Sequence, residues 1–262
     1  MLELYQFELS HYCEKVRFIL DYKELPYRKI EVTPGIGQLD IYRMSGQRQV
    51  PVLKDGTEVI ADSTAIAEYL DKTYPDKPVI PADPKLRGLT LIIEQWADES
   101  IGLSARQCLL SAIGRNADLR TSVLPSSTPD FVKNLIGAFP SDLLNGLGIG
   151  LPDPTKAAQD VMKHDLAALC FILEQQPYLV TDHPTLADFA VAALTMYVKF
   201  PEGPYLDLPS GLKGKGTPGI ADVGVFEPFF SWRDRLYTDY RKASTLPTST
   251  TSGSGPTSID ID

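Results

Sequence analysis

The segment S10-H-Y-C-E-K-V-R17 places a hydroxyl and a thiol three residues apart at the predicted start of a helix. A helix N-terminus carries unpaired amides and a positive dipole end, which stabilise a bound thiolate or carboxylate. The hydroxyl of Ser10 would add a hydrogen bond to such a thiolate, and His11 stands beside it. Simpler interpretations stay open: Ser10 only caps the helix and Cys13 packs in the core, or Cys13 is itself a reactive thiol of lowered pKa.

Two further pairs of residues could bind a ligand through backbone groups. Val50-Pro51 opens a predicted strand, where proline is tolerated although it cannot donate to a sheet ladder. If their peptide bond is cis, Val50 can present its amide and carbonyl to a ligand. Asp62-Ser63 stands at a predicted helix start, where a hydroxyl and free amides can bind a carboxylate or serve only as an N-cap.

A small α+β domain is required to position these residues. Alternating or β-branched runs predict strands, and apolar residues at helical spacing predict helices. The predicted strands span 2–7, 27–32, 51–53 and 59–61, and the predicted helices span 10–22, 35–44 and 63–74. Asp55-Gly56 is a hairpin signal between the last two strands, so these must be antiparallel.

The remainder of the chain predicts an all-α domain. Closely spaced prolines end the first domain, which we place at 1–78, and mark a linker at 79–84. The second domain is predicted at 85–243, and its tail at 244–262 is rich in Ser and Thr and too polar to order. Its predicted helices span 85–113, 155–174, 185–199 and 226–243, with Gly- and Pro-rich insertions at 112–154 and 201–225.

Composition excludes several classes of function. The chain has 262 residues with 25 Lys and Arg against 34 Asp and Glu, which gives a formal charge of −9. Binding to nucleic acid depends on basic residues that neutralise phosphates, so we do not expect a nucleic-acid-binding protein. The longest apolar stretch, 189–198, is shorter than the ~20 residues of a membrane-spanning helix, so we expect no membrane span. The start lacks a secretory signal pattern, so we expect a cytoplasmic protein. The scattered cysteines and histidines show no metal-ligand spacing, and we expect no metal.

Taken together and in order, four motifs resemble the glutathione transferase superfamily. They are S10-x-x-C-x-K-V-R17, Q49-V-P-V-L53 followed by D55-G, A61-D-S-x-A-I-A-E-Y-L70, and T185-L-A-D-F-A-V-A192. The last is similar to the N-capping box of the buried helix in the family's second domain. The resemblance implies a thioredoxin-like N-terminal domain followed by an all-helical C-terminal domain. It covers residues 1–84 throughout, and 85–111 and 155–199 in part.

The resemblance also implies a role for each of the residues singled out above. Ser10 falls where members of the family hold the sulfur of glutathione, and Val50, beside a cis Pro51, would bond the cysteinyl backbone. Gln49 falls on a position that contacts the glycyl arm. Asp62-Ser63 falls on the pair that binds the γ-glutamyl end.

We therefore expect a glutathione transferase-like enzyme that acts in detoxification, with glutathione as the co-substrate that attacks an apolar electrophile. Tyr5, on the first strand, is a second candidate for the hydroxyl, although packing is the role that we favour for it. The resemblance implies a homodimer that uses one face of the first domain and the long helix beginning near Lys85. Two alternatives stay open: a binding or assembly protein that keeps the fold without catalysis, and a thiol oxidoreductase that works through Cys13. His11 stands where thiol-exchanging relatives usually have proline, and Ser10 lacks the sulfur that disulfide exchange requires, which counts against the oxidoreductase.

Overall fold

A computed structural model describes residues 1–32, 37–115, 154–208 and 211–244 of the chain. It confirms the predicted fold class, because a mixed sheet with helices is followed by a helical domain. In chain order the elements are β1 Leu2–Gln6, α1 His11–Tyr22, β2 Tyr27–Glu31, α2 Gln38–Ser45, β3 Val52–Asp55, β4 Glu58–Ala61, α3 Ser63–Thr73, α4 Pro84–Trp96, α5 Gly102–Arg115, α6 Pro154–Leu173, α7 Leu186–Leu194 and α8 Glu227–Tyr240. The predicted insertion at 112–154 and tail at 244–262 lie mostly outside the described residues.

The sheet has the strand order β2-β1-β3-β4. Strand β1 runs parallel to β2 and antiparallel to β3, while β3 and β4 form the antiparallel hairpin that Asp55-Gly56 predicts. The ladder begins at Val52 opposite Ala61, one residue after Pro51, which has no amide hydrogen to donate. The peptide bond between Val50 and Pro51 is cis.

Helix α1 lies at the centre of the molecule. One face of the sheet, including Leu2, Leu4 and Leu53, packs in a core shared with α1 and α3. The other face packs Val52 against Ile41 of α2. Helix α1 also packs against α7 of the helical domain, so its side chains are buried from the sheet side and from the helical side.

Helix α7 is buried all round, as its nearly continuous apolar sequence predicts. Its first turn is held by Asp188, whose carboxylate accepts hydrogen bonds from the amide and hydroxyl of Thr185 and from the amide of Leu179. The helix ends at Leu194, short of the predicted end at residue 199. The hydroxyl of Thr195 donates to the carbonyls of Val191 and Ala192, and the chain continues as a short 3-10 turn.

Two departures from the predicted helical domain affect the candidate site. The helix expected to run from 85 to 113 is interrupted by a π-helical turn at Ala97–Ile101, between α4 and α5. In the segment predicted as an insertion at 201–225, Leu206 and Leu212 pack in an apolar cluster with Met196 and Phe200. This segment is therefore part of the packed domain and lies close to the start of α1.

Candidate functional site

A cavity of about 560 Å³ lies at the N-terminus of α1, between the first domain and helix α5. Six of the residues singled out in the sequence line it, although they come from three separate stretches of the chain. They are Ser10, Gln49, Val50, Pro51, Asp62 and Ser63. The sheet explains this, because β3 starts at Val52 beside the end of β1 and β4 ends at Ala61, opposite Val52. The residues just before β3 and just after β4 therefore lie at the same end of the sheet as the start of α1.

Ser10 is the N-cap of α1. Its Oγ accepts a hydrogen bond from the amide of Cys13 at 3.3 Å, and its own amide donates to the carbonyl of Phe7 at 2.9 Å, which closes a turn. In the cap bond the hydroxyl oxygen is only an acceptor, so its hydrogen is still available to donate to a ligand in the cavity. The two interpretations of Ser10, cap and thiolate donor, are therefore compatible in this geometry.

Asp62-Ser63 forms the start of α3 at another side of the cavity. One carboxylate oxygen of Asp62, Oδ1, accepts from the amides of both Thr64 and Ala65, at 2.9 and 3.0 Å. Asp62 has a φ of 83°, a left-handed conformation that Asp tolerates better than most residues but that is uncommon outside glycine. The cap uses a single oxygen, so Oδ2 is available to a cationic group of a ligand.

The alternative hydroxyl, that of Tyr5, does not line the cavity. Alternation along β1 puts Glu3 and Tyr5 on the face opposite Leu2 and Leu4, and the Tyr5 hydroxyl donates to Glu3 Oε2 at 3.3 Å. The Tyr5 ring packs with the Val52 and Ile41 cluster, on the α2 side of the sheet. Its position is therefore one for packing and not for contact with a bound thiol.

His11 and Cys13 are buried and lie outside the cavity lining. The His11 ring lies 4.4 Å, centroid to centroid, from the rings of both Tyr12 and Tyr197. Burial, reinforced by the cations Arg106 and Lys15, lowers the pKa of His11 to about 3, so the ring is neutral.

Cys13 has none of the properties of a reactive thiol. Its side chain is fully buried, and that burial raises the pKa of the thiol to about 11 despite the nearby Arg17. A nucleophilic cysteine needs an accessible sulfur and a lowered pKa. The geometry thus offers no support for the oxidoreductase alternative, and Cys13 belongs to the core.

A second wall of the cavity comes from residues that sequence reasoning missed. It includes Phe7 and Tyr12 beside Ser10, and Leu103 and Arg106 on α5. The Arg106 guanidinium lies 6.0 Å from the centroid of the Tyr12 ring, and the Tyr12 hydroxyl donates to the carbonyl of Asp98 at 3.2 Å. The spacing of Leu103 and Arg106 puts both on one helix face, but the sequence gives no sign that this face turns toward Ser10.

Beneath this wall, a buried lysine joins the two domains. Lys15 Nζ lies 2.5 Å from Glu94 Oε1 of α4 and 2.9 Å from Asp98 Oδ2 in the π-helical turn. Burial raises the pKa of Asp98 to about 6, although Lys15 acts in the opposite direction. Asp98 and Glu99 both line the cavity, so the π-helical turn is part of the site.

Comparison with known families agrees with this architecture. A family model for the glutathione S-transferase N-terminal domain matches residues 4–78, and one for the glutathione S-transferase C-terminal domain matches residues 152–212. The two together cover about half of the chain. The chain belongs to the glutathione transferase superfamily.

Individual relatives in this superfamily are distant. A zeta class glutathione S-transferase of Euphorbia esula is 31% identical over 116 residues, which are 43% of this chain and 52% of that protein. A glutathione S-transferase of Triticum aestivum is 35% identical over 98 residues, 37% of this chain and 46% of that protein. The chain thus spans about half the length of the curated relatives it matches.

Solved structures of glutathione transferases share the fold along most of the chain. A glutathione S-transferase from Rhodospirillum rubrum superposes with a TM-score of 0.63 at 20% identity, covering 91% of this chain and 88% of that one. A theta class enzyme from Xanthomonas axonopodis pv. citri, solved with glutathione bound, gives 0.58 at 18% identity and covers 91% and 93%. At these identities the likeness establishes the fold alone.

Within the described ranges, no helix is long and apolar enough to cross a membrane. The same ranges hold no group of three or more His, Cys, Asp and Glu residues that could bind a metal ion.

Proposed function

We propose that this protein is a glutathione transferase in which the Ser10 hydroxyl donates a hydrogen bond to the thiolate of glutathione. The observation that carries the proposal is the position of Ser10: it caps α1 and lines the cavity that Val50-Pro51 and Asp62-Ser63 also line. Family membership supports the use of glutathione.

The proposed chemistry needs only a modest stabilisation of the thiolate. Lowering the pKa of a thiol from about 8.5 by two units requires about 2.7 kcal/mol. A hydrogen bond to a charged group contributes about 1.5–3 kcal/mol, and the positive end of the α1 dipole adds to it. The thiol loses its proton to water, and the thiolate attacks an electrophilic carbon in the same cavity. A carbon–sulfur bond forms, and the bond to the leaving group breaks as that group departs with its electron pair.

Each part of the cavity wall suits one part of the reactants. The free oxygen of Asp62 suits the ammonium group of the γ-glutamyl end, and the backbone of Val50 suits the cysteinyl amide. Gln49 is placed for the glycyl arm. The electrophile would contact the wall formed by Tyr12 and Leu103, whose apolar surfaces favour an apolar compound. We propose detoxification in the cytoplasm as the setting of this reaction.

Replacing Ser10 by alanine should lower turnover far more than it weakens glutathione binding. The lost bond forms mainly with the thiolate, so we expect kcat to fall about 10- to 100-fold, while the Kd for glutathione changes by less than about threefold. Steady-state kinetics with a chlorodinitrobenzene electrophile and calorimetric titration with glutathione measure the two quantities. Ser10→Thr, which keeps both the hydroxyl and the cap, is the control. Unchanged turnover in Ser10→Ala would remove this hydroxyl from the mechanism.

Asp62→Asn should weaken glutathione binding without loss of stability. Asparagine keeps an oxygen for the amides of Thr64 and Ala65 but removes the charge offered to the ligand, so we expect the Kd to rise roughly tenfold. Asp83→Asn is a matched control, because Asp83 caps α4 through the same two-amide geometry and does not line the cavity. Equal Kd values for wild type and Asp62→Asn, by calorimetry, would show that Asp62 is only a cap.

We also propose that the protein forms a homodimer through one face of the first domain and a face of α4. Leu89 and Ile92 are exposed there, Ile92 by 68%, and two-fold dimers are the commonest closed assembly. Light scattering should give about twice the chain mass of 28.9 kDa, and Ile92→Glu should shift the protein toward the monomer because it places a charge in the interface. A wild-type mass near that of one chain at micromolar concentration would contradict the dimer.

A further inference from the structure

The turn that carries Ser10 is held by hydrogen bonds to most of its backbone groups. This turn, residues 7–10 and here the catalytic turn, has Glu8 and Leu9 at its centre. The amide of Glu8 donates to Glu31 Oε1 at 2.7 Å, and its carbonyl accepts from Arg17 Nη2 at 2.8 Å. The carbonyl of Leu9 accepts from the Tyr197 hydroxyl at 2.6 Å. The conformation of the turn therefore depends on side chains outside it.

The side chain of Glu8 collects donors from distant parts of the chain. Oε2 accepts from Gln6 Nε2 at 2.8 Å and from Arg17 Nη1 at 3.1 Å. Oε1 accepts from the amide of Asp207 at 3.1 Å and from the hydroxyl of Ser244 at 2.9 Å. Glu8 does not line the cavity, so its contacts act on the turn and not on the substrate.

Ser244 reaches Glu8 because the four residues after α8 cross back over the first domain. We call residues 241–244 the C-terminal strap. Arg241 is almost fully buried, donates to Glu14 Oε1 at 2.9 Å, and also pairs with Asp21, both on α1. The Lys242 amide donates to Asp21 Oδ2 at 3.0 Å. At the end of the strap, Lys29 Nζ donates to Ser244 Oγ at 2.9 Å.

The strap also fixes the second segment that reaches Glu8. The guanidinium of Arg241 donates to the carbonyl of Tyr205 at 3.1 Å, and the Ser244 amide donates to the carbonyl of Pro204 at 2.7 Å. These bonds hold the chain immediately before Asp207, whose amide binds Glu8. Two segments of the helical domain thus converge on one carboxylate two residues from Ser10.

The charge of Glu8 is suited to this role. Burial opposes its ionisation, but Arg17 and Lys29 outweigh burial and lower the pKa of the carboxyl to about 2. An ionised carboxylate accepts from several donors at once and binds each more strongly than a neutral oxygen does. Such a network is strong when all its members are present, and a buried donor or acceptor left unpaired is costly.

We propose that Glu8 and Ser244 are positioning residues for the thiolate donor: the C-terminal strap, acting through the Glu8 carboxylate, holds the catalytic turn so that the Ser10 hydroxyl faces glutathione. The catalytic part of this inference rests on the function proposed above. It assigns a task to the end of the helical domain, which contributes nothing to the lining of the cavity.

The test uses full-length variants that remove one donor or one charge. In Ser244→Ala we expect kcat to fall about three- to tenfold, the acid limb of the pH–kcat/KM profile to move to higher pH, and the Kd for glutathione to stay within about twofold. The profile moves because a displaced Ser10 hydroxyl stabilises the bound thiolate less. Ser244→Thr should restore wild-type values. Ser231→Ala is the control, because Ser231 also lies on α8 and its hydroxyl donates to Glu227 Oε1 on the same helix, away from the strap.

A double variant distinguishes action through Glu8 from an independent effect. Glu8→Gln should lower kcat at least as much as Ser244→Ala, and adding Ser244→Ala to it should change little further, since both act on the same contact. Losses that multiply in the double variant would overturn the proposal, as would wild-type kinetics and pH profile in both single variants. Should Glu8→Gln fail to fold, the proposal is still tested by comparing Ser244→Ala with Ser244→Thr. Equal kinetics in these two variants would contradict it.

Amide hydrogen exchange supplies a readout that does not depend on turnover. In Ser244→Ala, peptides covering residues 8–13 should exchange at least about threefold faster than in wild type or Ser231→Ala, because their hydrogen bonds open more often. Unchanged exchange rates in these peptides would contradict the claim that the C-terminal strap holds the catalytic turn. A wild-type chain that binds or conjugates no glutathione would contradict the proposed function instead. The exchange experiment would then still test whether the strap holds the catalytic turn.

Discussion

Helix α1 brings four charged side chains into the interior: Glu14, Lys15, Arg17 and Asp21. Removing an ion from water costs several kcal/mol, and only well-placed partners of opposite charge offset that cost. The partners come from different parts of the chain, so satisfying these charges joins the parts together. Lys15 joins α1 to α4 and the π-helical turn, while Glu14 and Asp21 join it to Arg241 after α8.

The site is a consequence of that pairing, because its residues lie at the ends of elements that α1 holds in place. Ser10 caps α1 itself, and Asp62 caps the neighbouring α3. Asp98, which pairs with Lys15, brings the π-helical turn to the edge of the cavity. A hydroxyl at the end of such a helix moves little, and catalysis by electrostatic stabilisation depends on donors that need no reorganisation.

Local sequence signals sufficed for those parts of the molecule whose structure is decided within a few residues. The cap at Ser10, the hairpin at Asp55-Gly56 and the buried α7 all follow from short patterns. The start of α3 is also predicted, but the sequence favours Ser63 as its cap and the carboxylate of Asp62 has that role. The six cavity residues could be named because motifs in the first domain resemble those of a known family. Tyr5 shows the limit of this reasoning, since its place near Ser10 in the chain does not reveal which face of the sheet it occupies.

What the sequence did not reveal depends on contacts between distant segments. In the sequence, Arg17 and Arg241 look like solvated surface charges, yet both are buried. Their ion-pair partners can be recognised only from the packed structure. Arg106 stays exposed, but its place in the cavity wall likewise depends on how α5 packs. The π-helical turn and the C-terminal strap are likewise products of tertiary packing.

The pKa of the thiol of glutathione bound to the protein tests the central claim most directly. Ultraviolet difference spectroscopy detects the thiolate as pH is raised, with no electrophile present. A hydroxyl at a helix end that stabilises the thiolate should hold this pKa at least about one unit below the ordinary thiol value of about 8.5, and Ser10→Ala should bring it back toward that value. A bound thiol that titrates like free glutathione in the wild-type protein, with glutathione saturating the site, would contradict the account.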